Sequence, residues 1–372
     1  MKILVVYASS GIGHKKAAES IYEALKKNKE GCQFYLIDIL DYASCLLVYA
    51  YSKIYLFLIK NLRFFWGFIF YLTDNRKFHF LFGFLKSLFE NINSRRFQDY
   101  LLKENFDIII STHFSSSHIA GYLKKNGKIK AKLITVVTDY RAHSVWSVEG
   151  SDYFIVASNK TKEDLQRNNI SSDKIKVLGI PAGLEFSVNK DPDSIREKLQ
   201  ISPKELTIMV MSGGIGIGPY EYLIKKLFPF KEKVNVLFVC GYNKKLYNRL
   251  KVLSKKLNTP FKIYQYIDNV DELMQISDII ITKAGGISLT ESLIKKLPML
   301  VVSPIPGQEK LNSKLMADLG VMKVVETNKE AFTFIKQLIN NPDILKRMRG
   351  NIEKIVKPNA AEEVIKFAKG IK

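Results

Sequence analysis

Two sets of residues in this chain have types and spacings that could do chemistry. The first runs Asp278-Ile-Ile-Ile-Thr-Lys-Ala-Gly-Gly-Ile-Ser-Leu-Thr-Glu291 and continues through Val301-Val-Ser-Pro-Ile-Pro-Gly-Gln-Glu-Lys-Leu-Asn312. The pair Gly285 and Gly286 lets the backbone turn sharply. Ser288 and Thr290 are good helix starters, which puts Glu291 in a first turn. Glycine turns and helix N-termini suit phosphates. The carboxylates and amides of Glu291, Gln308, Glu309 and Asn312 suit the vicinal hydroxyls of a sugar. The second set is His14, His113, Asp139 and His143, which follow successive apolar runs. Imidazole and carboxylate side chains suit proton transfer from a hydroxyl.

Both sets need elements to position them. In the first half, short apolar runs predict strands at 2–7, 33–37, 107–111, 132–138, 153–157 and 175–178. The second half restarts the same grammar, with strands at 207–211, 234–240, 261–264, 279–281 and 299–302. Helical patterns fall between them, which is the signature of doubly wound parallel sheets. Ligands then bind beyond the carboxyl ends of the strands, and this lines His14, His113 and Asp139 along one edge. The loop Ala8-Ser-Ser-Gly-Ile-Gly-His14 is no dinucleotide fingerprint, since Lys16 stands where a third glycine belongs, and it is no P-loop. Ser212-Gly-Gly-Ile-Gly-Ile-Gly218 can cradle a diphosphate with backbone amides. The expected organisation is an α/β domain over 1–185, a polar linker over 186–205 and a second α/β domain over 206–355. A terminal helix over 356–372 packs back on the first domain. Asp191-Pro-Asp193 is incidental in such a linker, and Asp38 reads as a capping or solvated residue.

A net charge of +21 and a pI near 9.6 favour nucleic acid, anionic lipid or phosphorylated ligands. Cys32, Cys45 and Cys240 lack metal or redox spacing, which fits a reducing cytosol. The start Met1-Lys-Ile-Leu-Val-Val-Tyr7 reads as a strand and not a signal peptide. Residues 42–106 hold 19 of the chain's 43 aromatics, more than one core needs, with cationic residues in excess. Lys53, Lys60 and Arg63 interrupt the run before it reaches the roughly 20 apolar residues of a membrane span. The composition suits helices lying in a bilayer interface, among them the one carrying Trp66. The bland alternative is ordinary helices on the sheet with a cationic outer face.

Two halves that each open on a glycine loop resemble the GT-B architecture, two Rossmann-like domains facing a cleft. The motifs Ser9-Ser-Gly-Ile-Gly-His-Lys-Lys-Ala-Ala18, Thr138-Asp-Tyr-Arg-Ala-His-Ser-Val-Trp146 and Pro306-Gly-Gln-Glu-Lys-Leu-Asn312 resemble the monogalactosyldiacylglycerol synthase and processive diacylglycerol glucosyltransferase family. The resemblance covers nearly the whole chain. It implies inverting, metal-independent transfer from a UDP-hexose to diacylglycerol, with no cofactor, at the cytoplasmic face of an anionic membrane. It assigns Glu291 to the ribose and Gln308 and Glu309 to the sugar. Ser212, Gly213 and Gly214 face the diphosphate, and Tyr266 and Ile267 lie beside the uracil. Gly13, Gly285, Gly286, Ser288 and Asn312 complete the donor set. His14 matches a histidine acting at the acceptor, with Asp139 the competing base. His143 and Trp146 match a lipid-binding loop, and Trp66 lies where the family contacts membrane. The family often carries a proline at the position of Phe114.

With the base in one half and the donor set in the other, the reaction is expected in the cleft between them. Glucose is the first expectation for the sugar, galactose the second. The alternatives on the same scaffold are a UDP-N-acetylglucosamine-using cell-wall transferase and a 2-epimerase. Outside enzymes, the charge admits a basic lipid- or nucleic-acid-binding protein. No nucleic-acid motif is present, so nucleic acid is not expected as a partner.

Overall fold

The protein is described by a computed structural model over residues 1–9, 11–27, 31–43, 61–74, 95–214 and 216–371. It divides into two units. One comprises Met1–Leu184, Ile305–Leu311 and Lys357–Lys372, the other Glu185–Pro304 and Asn312–Val356.

The first unit is built on strands β1 (Lys2–Tyr7), β2 (Gln33–Asp38), β3 (Ile108–Ser111), β4 (Lys132–Val136), β5 (Tyr153–Val156) and β6 (Ile175–Val177). They form one parallel sheet in the order β2-β1-β3-β4-β5-β6. A parallel sheet is covered on both faces, so its central strands read as unbroken apolar runs. Ile3, Leu4, Val5 and Val6 accordingly have no exposed surface. One face packs Ala18, Ile21, Ala24 and Leu25 of the helix Ile12–Lys27 together with Ala361, Val364, Ile365 and Ala368 of the helix Ala360–Gly370. Alanines on both helices keep that layer thin. The opposite face carries Phe97, Leu101, Ile119, Ala120 and Leu123.

The second unit repeats the plan with β7 (Leu206–Met211), β8 (Val234–Val239), β9 (Lys262–Tyr264), β10 (Ile279–Thr282), β11 (Met299–Val302) and β12 (Met322–Val325). Its order is β12-β11-β10-β7-β8-β9, again parallel. The sequence pattern does not single out β12. It is a four-residue edge strand whose Lys323 faces solvent, so it lacks the run of a buried strand.

Two boundaries differ from expectation. Residues 186–205 contain the helix Pro192–Leu199, capped by Asp191, whose side chain accepts from the amides of Asp193 and Ser194. They belong to the second unit and pack on its helix Val270–Ile276. The segment Ile305–Leu311, expected with the second domain, belongs to the first. The reason is local packing. A side-chain carbon added at Gly67 would lie 2.6 Å from Cβ of Pro306, and one at Gly307 2.9 Å from the ring of Phe70. Asp38 is the N-cap of a 3-10 turn, accepting from the amide of Leu40 at 3.0 Å.

Candidate active site

In the first sheet β1, β3 and β4 are neighbours, and His14, His113 and Asp139 follow their carboxyl ends. The sequence places His14 at the end of a loop. In the structure the helix begins at Ile12, so Gly13 and His14 lie in its first turn. Nδ1 of His14 is 2.9 Å from the carbonyl oxygen of Thr112 and 2.9 Å from Oγ1 of Thr138. A carbonyl oxygen only accepts, so Nδ1 carries the proton and Nε2 keeps the lone pair. The Thr112 hydroxyl donates to the His14 carbonyl at 2.9 Å, closing the link between the two segments. Burial pushes the pKa of His14 down to about 4, more than the Thr112 carbonyl raises it. The positive end of the helix also disfavours an imidazolium there. The result is a neutral imidazole in a fixed tautomer.

His113 is buried and packs edge-on against His14, with ring centroids 4.6 Å apart. Its Nδ1 accepts the amide of Ser115, capping the helix Phe114–Lys125, and Phe114 stacks on its ring. His113 is therefore a supporting residue. Asp139 is half-buried at the start of the segment 139–146.

That segment carries His143 and Trp146, expected to touch lipid. Trp146 is only 3% exposed and sits in a core cluster with Val137, Phe154 and Leu165. A large ring packed among these side chains and edge-on to Phe114 gains more there than at a surface, and almost none of it is left exposed. His143 is also buried. Its Nδ1 accepts the Val145 amide at 3.1 Å, so Nε2 bears the proton and donates to the Phe70 carbonyl at 3.1 Å. It pins the helix Arg63–Asp74. One side of that helix is held by Gly67, Phe70, Thr73 and Asp74. Trp66 is half-buried, whereas Phe64, Phe65, Phe68 and Tyr71 are exposed, Phe64 by 89%. The aromatic surface thus falls on the neighbours of Trp66. The stretches 44–60 and 75–94 of the aromatic segment lie outside the described residues.

In the second unit the donor candidates other than Gly13, Gln308 and Glu309 follow the carboxyl ends of β7, β9, β10 and β11. The helix Gly286–Ile294 starts earlier than Ser288 and Thr290 suggest. Gly285 is its N-cap and offers no side-chain cap. The amides of the first turn are therefore left for an anion. Thr290 instead bonds back to the Gly286 carbonyl at 2.8 Å, and Glu291 comes a turn later, nine-tenths buried. Asn312 is fully buried, and its amide donates to the Ala284 carbonyl at 3.1 Å. It braces the glycine turn from beneath and does not face a sugar. Ser212 is likewise turned inward. Its amide donates to the hydroxyl of Tyr220, which donates to the Val239 carbonyl, and burial pushes that phenol up to about 12. Gly213 and Gly214 stay at the surface of the loop. Gly213 has φ +59°, and a side chain on Gly241 would come within 2.7 Å of the Gly214 carbonyl. Ile267 is half-buried beside Tyr266.

One residue was missed from sequence. Tyr242 stacks on Tyr266 with centroids 4.5 Å apart and planes 13° from parallel, and both rings are largely exposed. The signal available was Gly241-Tyr-Asn at the end of β8. The hydrogen bond with Tyr242, then burial, pushes the Tyr266 phenol up to about 12.

Gln308 and Glu309 open the helix Gln308–Asp318. Nε2 of Gln308 donates to the Arg141 carbonyl at 2.7 Å, and Oε2 of Glu309 accepts the Ile305 amide at 3.2 Å. Among the described residues no cluster of three metal-ligating side chains occurs, and no helix is long and apolar enough to cross a membrane.

Residues 14–182 match the family model for monogalactosyldiacylglycerol (MGDG) synthase, and residues 207–370 match that for the glycosyltransferase family 28 C-terminal domain. Together the two matches span most of the chain, an MGDG synthase domain followed by a family 28 C-terminal domain, and the chain is a glycosyltransferase. A processive diacylglycerol beta-glucosyltransferase of Bacillus licheniformis is 29% identical over 98% of this chain and 93% of its own length. Among solved structures, Acinetobacter baumannii MurG matches with a TM-score of 0.64 at 15% identity, covering 100% of this chain and 99% of that one. A UDP-GlcNAc 2-epimerase from Neisseria meningitidis matches with 0.66 at 16%, covering all of both chains. Such distant likenesses establish the GT-B fold. They score MurG and a 2-epimerase alike, so the fold alone does not choose a reaction.

Proposed function

We propose that the enzyme transfers a hexose, glucose in the first instance, from a UDP-sugar to the free hydroxyl of diacylglycerol. The observation that carries the chemistry is His14, neutral, with Nδ1–H committed to Thr112 and Nε2 left as the acceptor. Likeness to the Bacillus licheniformis protein over nearly the full chain supports diacylglycerol as the acceptor and glucose as the sugar.

In this reading the acceptor oxygen attacks the anomeric carbon while its proton passes to Nε2 of His14. The bond from that carbon to the diphosphate breaks, and UDP leaves with the electron pair. Asp139 orients the acceptor or the imidazolium. The charge on UDP is offset by the uncapped amides after Gly285 and by the loop at Gly213 and Gly214, without a metal. Glu291 holds the ribose, and Gln308 and Glu309 hold the sugar. The exposed aromatic face of Arg63–Asp74 lies in the interface of an anionic membrane on its cytoplasmic side, where an insoluble acceptor resides. The chain's net charge of +21 supports that attraction.

The test is vesicles containing diacylglycerol, with radiolabelled UDP-glucose and UDP-galactose in separate reactions and chromatography of the lipid. A labelled monohexosyl lipid is expected, and release of free sugar or an epimer without lipid labelling would overturn the reading.

A further inference from the structure

The segment 139–146 is held at almost every polar group along one side by residues with no part in the reaction described so far. Asp164, 5% exposed, takes Nε of Arg141 on Oδ2 at 2.6 Å and Nη2 on Oδ1 at 3.0 Å. The same Oδ2 accepts the Ala142 amide at 3.1 Å. Thr161, one turn earlier on the helix Asn159–Arg167, donates its hydroxyl to the Tyr140 carbonyl at 2.8 Å. Backbone groups at 140 and 142 and the side chain at 141 are thus fixed from one helix. The Arg141 carbonyl lies between these anchors and receives the Gln308 amide at 2.7 Å. A buried carboxylate facing a planar guanidinium in fork geometry sets direction as well as distance.

We propose that Asp164 is a positioning residue for sugar transfer: through Arg141 it fixes the backbone that carries Asp139, and through the Arg141 carbonyl it fixes the amide of Gln308. The proposal rests on the reading of Gln308 as a sugar-binding residue. Asp164 touches no substrate in this scheme. The Asp164 carboxylate holds Arg141 above its ordinary pKa, so the guanidinium keeps its charge. If the fork is broken, the carbonyl of residue 141 rotates freely with the loop, and Gln308 loses the partner that aims its amide.

The experiment compares wild type with Asp164→Asn, which halves the fork without changing size, by calorimetric titration with UDP and with UDP-glucose, and by turnover on diacylglycerol vesicles. The variant is expected to keep its affinity for UDP, to lose affinity for UDP-glucose relative to UDP, and to lose turnover by about a hundredfold, the scale of a misplacement near 1 Å. A purely structural role would lower the melting temperature and leave the ratio of the two affinities unchanged. Thr161→Val removes a single hydroxyl at a fully buried site. It is expected to shift the same ratio and turnover by about fivefold, the worth of one neutral hydrogen bond, and it carries the test if Asp164→Asn does not fold. An unchanged ratio with wild-type turnover in a folded variant overturns the proposal. A wild-type enzyme that binds neither UDP nor UDP-glucose overturns the reading of function first, so the two failures are distinct.

Discussion

With His14 as the proposed base, the reaction should show a measurable acid limit. A base works only when unprotonated, and burial holds this imidazole neutral down to about pH 4. At pH 5.5 a group with that pKa is about 97% neutral, whereas an ordinary histidine near 6.5 is about 9% neutral. Lowering the pH from 8 to 5.5 should therefore leave kcat/KM nearly unchanged, against a loss of about tenfold for a solvated histidine. The assay is initial rate at low UDP-glucose across pH 4 to 9, since kcat/KM reports the free enzyme. Asp139→Asn is run beside the wild type, so that a carboxylate base does not supply the same acid limb. His14→Ala should lose orders of magnitude in turnover while still binding UDP. Stability carries the opposite face of the same shift. The folded pKa lies below the unfolded one, so the unfolded chain takes up the extra proton between about pH 6.5 and 4. The contribution is whole above pH 6.5 and is lost as pH falls towards 4, by about 1–3 kcal/mol for a ring that is not fully shielded. A kcat/KM midpoint near 6.5 in both wild type and Asp139→Asn would refute the placement of the proton on Nδ1 in a desolvated site.

Four further outcomes follow from named contacts. Gly67→Val drives a side chain into Pro306, where a Cβ would already stand at 2.6 Å, so the Arg63–Asp74 helix must shift. The expected cost is about 1–3 kcal/mol in thermal unfolding, with reduced activity. Phe64→Asp removes an aromatic ring that is 89% exposed and should lower partition onto anionic vesicles by about thirtyfold, from roughly 2 kcal/mol per buried ring, with melting unchanged. Glu309→Ala should weaken UDP-glucose binding in calorimetry while UDP binds as before, and equal losses would sink its assignment to the sugar. Removing divalent cations with a chelator should leave turnover on vesicles unaltered, because the proposed reading gives the diphosphate charge to the uncapped amides after Gly285.

Much of the scaffold could be read from the sequence because doubly covered parallel strands are chemically simple. Residues 3–6, 108–110, 279–281 and 299–302 are continuous apolar stretches too short for a helix. The edge strand Met322–Val325 escapes because its exposed Lys323 interrupts the pattern. His14 could be placed on a strand end, but its electronic state could not. The groups that fix its tautomer are 98 and 124 residues away in the chain. Spacing also says nothing about which way a polar side chain turns. Ser212 and Asn312 have the right types for ligand contacts, yet both are buried: the Ser212 backbone amide goes to Tyr220, and the Asn312 side chain goes to the Ala284 carbonyl.

The segment 138–146 shows why residue type and role separate here. Its motif announces a functional loop, and the natural reading gives each polar or aromatic member a substrate. The structure instead divides the labour. Thr138 faces His14, Arg141 goes to Asp164, His143 to the Phe70 carbonyl and Ser144 to Asp74. Trp146 fills the core beneath. In the proposed reading this loop presents the Asp139 carboxylate and the Arg141 carbonyl, and committing its other polar groups keeps the backbone from drifting. On that logic the strength of the motif reflects the cost of holding Asp139 still more than the number of groups that touch substrate. The aromatic helix then belongs to the same construction: it offers its exposed rings on one side and Phe70, Thr73 and Asp74 to the loop on the other.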